Sequence, residues 1–175
     1  PWADGTTAER FIALPGTTQL DLWEKTDVQL GMIKDEWRFP DGGVLAKTVG
    51  LELEPGNPAS RRRIETQVLH YDVDTWRAYN FIWNDEQTDA ELAGPDGSDR
   101  AFKIKDESAS NGLRQQTWHH AGRLECILCH TTRAGSIHGF RIPQLARDHD
   151  YDGVTADQLA TFEHLGYFAK PLPAE

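Results

Sequence analysis

Sulfur is scarce in this chain. Its 175 residues hold two cysteines and one methionine. Two cysteines exclude the multi-bridge disulfide framework that props up small secreted folds. Basic charge is short as well: 18 Lys and Arg stand against 28 Asp and Glu, a formal net charge of −10. Such a surface repels nucleic acid and anionic lipid, so neither is an expected partner; it suits a basic partner surface or simple solubility. No apolar run approaches the ~20 residues of a membrane-spanning helix. Neither a signal-peptide pattern nor an internal repeat is visible. The first residue is Pro1 rather than Met, so the chain is expected to be a processed or excised piece.

Aromatic residues are plentiful. Hydrophobic residues make up 38% of the chain and include six Trp, seven Phe and four Tyr, enough for a packed core in one sizeable domain. The first two thirds alternate with period two and are rich in β-branched and aromatic residues. Strands are predicted at Thr18–Trp23, Val44–Leu53, Arg63–Tyr71, Trp76–Trp83, Ala101–Lys105 and Leu113–Trp118. Between them lie Pro40-Asp41-Gly42-Gly43, Pro55-Gly56-Asn57-Pro58 and Gly94-Pro95-Asp96-Gly97, which are turn chemistry. Strands joined by polar turns, without intervening helices, predict a mainly β fold, an antiparallel β-sandwich or barrel. The last third differs. Arg123–Thr131 reads as a short helix. Thr155-Ala156-Asp157-Gln158 reads as a capping box opening a helix over about 155–165, with Leu159, Phe162 and Leu165 on one face and Gly166 as its C-terminal cap.

Both cysteines fall in one pentapeptide, Cys126-Ile127-Leu128-Cys129-His130. Cys-x-x-Cys-His is the attachment signature of c-type haem. Two intervening residues let one helical turn present both thiols to the two vinyl groups on a porphyrin edge. The following His then supplies an imidazole nitrogen to the iron as proximal ligand. Three other readings compete. A thioredoxin-like redox pair comes with a βαβ pattern, which this sequence lacks. A structural zinc site needs two more ligands from scattered histidines. The third is a chance pair of buried or disulfide-bonded thiols.

Several blocks resemble an uncharacterised family of bacterial secreted proteins that carry a c-type haem motif. In that family the domain sits in large multi-domain proteins, often beside other cytochrome, sugar-dehydrogenase-like or carbohydrate-binding modules. The resemblance rests on Pro1–Gly5, Arg10–Pro15, Trp37–Gly42 with Val44–Thr48, and Ile64-Glu65-Thr66. It continues through Tyr79–Ala90, Glu125–His130, Ala134-Gly135, Gly139-Phe140, Gln144–Asp148, Asp157-Gln158-Leu159 and His164–Phe168. The family often has Tyr-Pro where this chain has His119-His120. The resemblance implies a haem-bearing domain in an exported protein, hence a periplasmic or extracellular one. It also implies other domains in the same polypeptide and a redox protein as partner.

One covalent haem c is therefore expected, tethered by Cys126 and Cys129, with His130 as proximal iron ligand. The sixth iron position decides function: a second strong ligand makes an electron carrier, an open position allows ligand or peroxide chemistry. The candidates are Met32, His70, His119, His120, His138, His149 and His164. His164, near the end of the predicted helix, is the first choice, with Met32 and His138 as alternatives. His70 reads as a surface or turn residue, His119 and His120 as close to the proximal side, and His149 as a solvated loop residue. Asp85, Glu86 and Asp89 read as a polar hairpin turn, with a calcium site as the alternative. The predicted organisation is a β-sandwich over 1–120 and a haem-binding segment over 121–175, forming one structural unit. The predicted function is one-electron transfer by a mono-haem cytochrome domain. An open-site, peroxidase-like haem enzyme or sensor, or a carbohydrate-binding sandwich with an accessory haem, are the alternatives. Trp37, Trp76, Trp83 and Trp118 sit in strand-like runs, where core packing is their expected use.

Overall fold

A computed structural model of the protein describes residues 4–22, 37–131 and 136–172. The chain is mainly β, with 47% strand against 14% helix, as the period-two alternation predicts. Its elements in order are β1 (Thr6–Ala13), β2 (Asp21–Leu22), β3 (Trp37–Arg38), β4 (Val44–Glu52), β5 (Arg61–Asp72), β6 (Thr75–Trp83), β7 (Ala90–Leu92), β8 (Ser98–Lys105), β9 (Leu113–His120), α1 (Arg123–Cys129), α2 (Ile142–Leu145), β10 (Asp148–Tyr151), β11 (Val154–Asp157) and α3 (Gln158–His164). One five-stranded sheet runs β1-β4-β5-β6-β7; β8–β9, β2–β3 and β10–β11 are antiparallel pairs. The chain forms two compact units.

The first unit takes Pro1–Ile12, Val44–His70 and Arg77–Leu128. Its apolar core is Val49 and Leu51 from β4, Ile64 from β5, and Phe102 and Ile104 from β8, flanked by Leu53 and Trp118. Each fully buried side chain of this kind contributes about 1.5–3 kcal/mol. The β4–β5 register slips between Val49/Glu65 and Gly50/Arg63, leaving Ile64 as an extra residue on β5. This bulge breaks the alternation. Ile64 and Glu65, neighbours that a regular strand would send to opposite faces, are both buried.

The β6–β7 connection carries the acidic block. Trp83 pairs with Ala90 across the hairpin. Asn84 Oδ1 accepts from the Thr88 N–H at 3.0 Å, and Gln87 takes a φ of +60°. Asp85 is ion-paired with Arg100. These residues form a polar turn, as the sequence indicates. Arg63 lies over the Trp83 ring at 3.6 Å, so a guanidinium covers that indole face.

The second unit takes Ala13–Gly43, Tyr71–Trp76 and Cys129–Glu175. Its core is aromatic. Trp37 stacks on Phe168 with centroids 5.0 Å apart, and Phe39 meets Trp76 edge-on at 4.9 Å. Phe140 packs against Trp37, Phe39 and Phe162. Leu20 bonds along the chain at Phe168: its N–H donates to the Tyr167 carbonyl at 2.8 Å, and its own carbonyl accepts from Ala169 at 2.8 Å.

The C-terminal helix starts later than predicted. Thr155 lies in β11, opposite Asp150. The helix cap is Asp157, whose carboxylate accepts from the Ala160 N–H at 2.7 Å. A hairpin closed at Asp152 (φ +54°) and Gly153 (φ +94°) claims residues 154–157 first. The helix end is as predicted. Gly166, at φ +74°, donates to Glu163, and Tyr167 donates to Phe162, each at 3.0 Å, completing a Schellman cap. Leu165 departs from the expected buried face and is 62% exposed; Phe162 packs on Tyr167 instead.

Among the described residues no helix is long and apolar enough to cross a membrane.

Candidate functional site

Helix α1 carries the motif. Arg123, Leu124, Glu125 and Leu128 are good helix formers, and Gly122 stands in the cap position. Glu125, the third helical residue, reaches back so that its carboxylate accepts from the Gly122 N–H at 2.7 Å. That is half of a capping box, and it puts negative charge at the helix start, where the dipole favours it. The other tie to Glu125 comes from His119, whose Nε2 lies 2.9 Å from one carboxylate oxygen. The Gly122 N–H first, and then His119, hold the Glu125 carboxyl below the ordinary carboxylate range.

His119 sits between two acids: its Nδ1 is 2.6 Å from Asp99, its cross-strand neighbour on β8. Both ring nitrogens face carboxylate oxygens, which can only accept when ionised; Asp99 first, then Glu125, raise the imidazole above the usual histidine range. Beneath this lies a buried network. Glu65, 1% exposed, accepts at one oxygen from His120 Nδ1 (2.8 Å), Asn80 Nδ2 (3.0 Å) and Trp118 Nε1 (3.2 Å). Its other oxygen accepts from Gln67 at 2.6 Å. Burial by itself would push this carboxyl up. The hydrogen bonds from His120, Asn80, Trp118 and Gln67 outweigh it and keep Glu65 low.

The turn before β8 closes against the start of α1. A Cβ on Gly122 would come within 2.3 Å of the Gly97 nitrogen and the Pro95 carbonyl oxygen. The Leu124 N–H donates to that same Pro95 carbonyl at 3.4 Å. Only glycine allows the two backbones this close.

Along α1, Cys126 and Cys129 are three residues apart. On a helix that spacing puts them on one face, with about 5–6 Å between Cβ atoms. Neither is in a disulfide; Cys126 is half-buried and Cys129 exposed. Leu124, Ile127 and Leu128 are exposed too, Leu128 by 78%. The helix ends at Cys129, so His130 follows on non-helical backbone. The His130 Nδ1 lies 2.6 Å from the Ser136 carbonyl oxygen. A carbonyl accepts, so Nδ1 carries the hydrogen, and in the neutral ring Nε2 is the nitrogen with the free lone pair. The Cys129 carbonyl accepts from Thr131 N–H at 2.9 Å and from His138 Nε2 at 3.0 Å. The His138 ring is 4.9 Å from that of His130.

The remaining candidates are scattered. His164 is the last residue of α3 and exposed. His149 lies in β10 rather than in a loop, and packs edge-on against Tyr151. His70 is half-buried in β5, opposite Val44, not in a turn. His120 is fully buried on Glu65. Met32 lies outside the described residues. Among the described residues, no three His, Cys, Asp or Glu side chains converge as a cation site.

No protein-family profile matches this chain, and no curated protein or solved structure gives a significant match.

Sequence reading missed the Ser136 carbonyl, Glu65, Asn80 and Glu125. Glu65 and Asn80 are distant partners with no local signature, and Ser136 contributes a backbone carbonyl, which no residue type announces. Glu125 did leave a signal, an acid three residues after a glycine at a helix start.

Proposed function

We propose that this is a mono-haem c-type cytochrome domain that moves single electrons between redox protein partners. Cys126 and Cys129 would hold the porphyrin by thioether bonds, and His130 would bind the iron. The observation that carries this reading is the 2.6 Å contact from His130 Nδ1 to the Ser136 carbonyl. A metal-binding imidazole usually donates its other ring N–H to a carbonyl or carboxylate, which fixes the tautomer and directs the bare nitrogen at the metal. The donor set fits the group in two further ways. Both thiols lie on one face of α1, and the helix ends just before His130. The exposed Leu124, Ile127 and Leu128 offer apolar surface beside the thiols for a porphyrin to cover. Bound haem supplies a one-electron change at iron.

In this reading His164 remains the leading distal ligand, with Met32 and His138 as alternatives. His138 would have to give up its bond to the Cys129 carbonyl if it were to bind through Nε2. We take the five-stranded sheet and the β8–β9 pair as the two faces of a β-sandwich, supported by the core they share. The covalent tether suits a periplasmic or extracellular site, where a dissociable cofactor would be lost by dilution. Such a domain would serve other modules of an exported bacterial redox protein.

The test is a denaturing gel stained for haem, with a pyridine haemochrome spectrum of the purified protein. Haem should travel with the denatured chain, and Cys126→Ser with Cys129→Ser should abolish this. A colourless native protein, made in a host able to attach haem, would end the proposal.

A further inference from the structure

Four donors converge on the buried carboxylate of Glu65. One of them reaches further. Asn80, 3% exposed, donates from Nδ2 both to Glu65 at 3.0 Å and to the Ala121 carbonyl at 3.2 Å. Ala121 is the residue just ahead of the Gly122 cap. His120, also on Glu65, is the residue before that. Gly122 in turn accepts the first helical N–H groups, from Glu125 at 3.1 Å and Cys126 at 3.2 Å. The carboxylate therefore orients the amide and imidazole that grip residues 120 and 121, and the chain leaves this grip directly into the turn that carries Cys126.

We infer that Asn80, held by Glu65, is a positioning residue for the haem-bearing thiol of Cys126; this rests on the cytochrome reading above. The Glu65 carboxyl oxygens take all four donors and the Ala121 carbonyl also accepts, so the Asn80 amide has one orientation available: its NH2 faces the carboxyl group and the Ala121 carbonyl. A side chain without that NH2 releases the chain at 121 while the core of Val49, Leu51, Ile64, Phe102 and Ile104 stays intact. Trp118 and Gln67 provide the contrast. Each donates to the same carboxylate, and neither of these donors goes to Ala121. They belong to the same buried network but not to the path that leads to the helix.

The test compares Asn80→Leu, with Asn80→Ser as a second variant if the first does not fold, against Trp118→Phe and Gln67→Leu in the full chain. The first readout is hydrogen exchange at the Cys126 amide, whose N–H bonds to Gly122. Loss of the clamp should speed exchange there by about five- to tenfold, the equivalent of one hydrogen bond. Trp118→Phe and Gln67→Leu should leave it within about twofold of wild type once global stability is matched. The second readout is the ferric spectrum of the haem-loaded protein, which the Asn80 variants should alter and the two control variants should not. If the Asn80 variants match the controls in both readouts, Asn80 is a packing residue and the inference falls. Covalent haem is scored on a denaturing gel for every sample. Wild type without haem would sink the cytochrome reading and the haem role of the clamp with it. Wild type with haem but no Asn80 effect would sink only the clamp.

Discussion

Replacing Glu65 by leucine removes one buried acceptor and strands its donors. The structure sets the size of the loss. Asn80 keeps the Ala121 carbonyl, and half-buried Gln67 can turn toward water. Among the described residues, His120 Nδ1 and Trp118 Nε1 have no second acceptor. Two stranded donors at about 1–3 kcal/mol each give a loss of about 2–6 kcal/mol. That is a large share of a domain's usual 5–15 kcal/mol. Glu65→Gln keeps an oxygen and the shape but loses the charge, so it should cost less, about 1–3 kcal/mol. Removing both partners, as in Glu65→Leu with His120→Phe, should recover part of the loss, because the costliest state is a half-satisfied pair. Urea unfolding at neutral pH, followed by tryptophan fluorescence, measures all three. Acid provides a sign test. The hydrogen bonds hold the folded Glu65 carboxyl below its unfolded value. The contribution of Glu65 is then present above the ordinary glutamate range and lost as pH falls through the depressed folded value. The gap between wild type and Glu65→Gln should be widest near neutrality and close in acid. Glu65→Leu no worse than Glu65→Gln, or a gap that widens in acid, would refute the reasoning.

Other outcomes follow from the same geometry. Gly122→Ala drives a methyl group into the backbone of Gly97 and Pro95; it should cost about 1–3 kcal/mol in urea unfolding, as overpacking does, and a neutral result would contradict the close approach. His119 is raised by Asp99 and then Glu125, so what it contributes is present below the ordinary histidine range and lost as pH rises through its raised folded value. The melting-temperature gap between wild type and His119→Gln should therefore shrink from about pH 6 to about pH 9; a gap that grows over that range reverses the sign. Val73, a β-branched residue at φ +46° beside Asp74 at φ +61° in the β5–β6 turn, is strained; Val73→Asn should stabilise the protein by several tenths of a kcal/mol to about 1 kcal/mol, and a lower unfolding midpoint would argue against that turn. In the haem-loaded protein His164→Ala should turn the ferric spectrum high-spin and Met32→Leu should not; the opposite pair of results assigns the distal ligand to Met32 and a higher reduction potential.

The sequence by itself determined what depends on neighbours along the chain. Alternation located β4, β5 and β6 to within two residues at each end, and β8 and β9 to within three. Gly166 named the end of α3 because a left-handed residue there needs no partner from elsewhere. Cys126, Cys129 and His130 form a local pattern, and a short helix is legible over Arg123–Thr131, although the structure ends it at Cys129. Tertiary structure decided the rest. The bulge at Ile64 depends on how β5 meets β4, so alternation could not foresee that Ile64 and Glu65 are buried together. Thr155 has the chemistry of a helix cap, but the β10–β11 hairpin claims it, and Asp157 caps in its place. His119 and His120 look alike in sequence. One lies between two surface acids and the other under a buried carboxylate, because successive residues of a strand face opposite ways. The tautomer of His130 is set by a carbonyl six residues on, which no spacing rule names. Hydrogen-bond direction and burial are properties of what the chain folds against, and those partners come from distant positions.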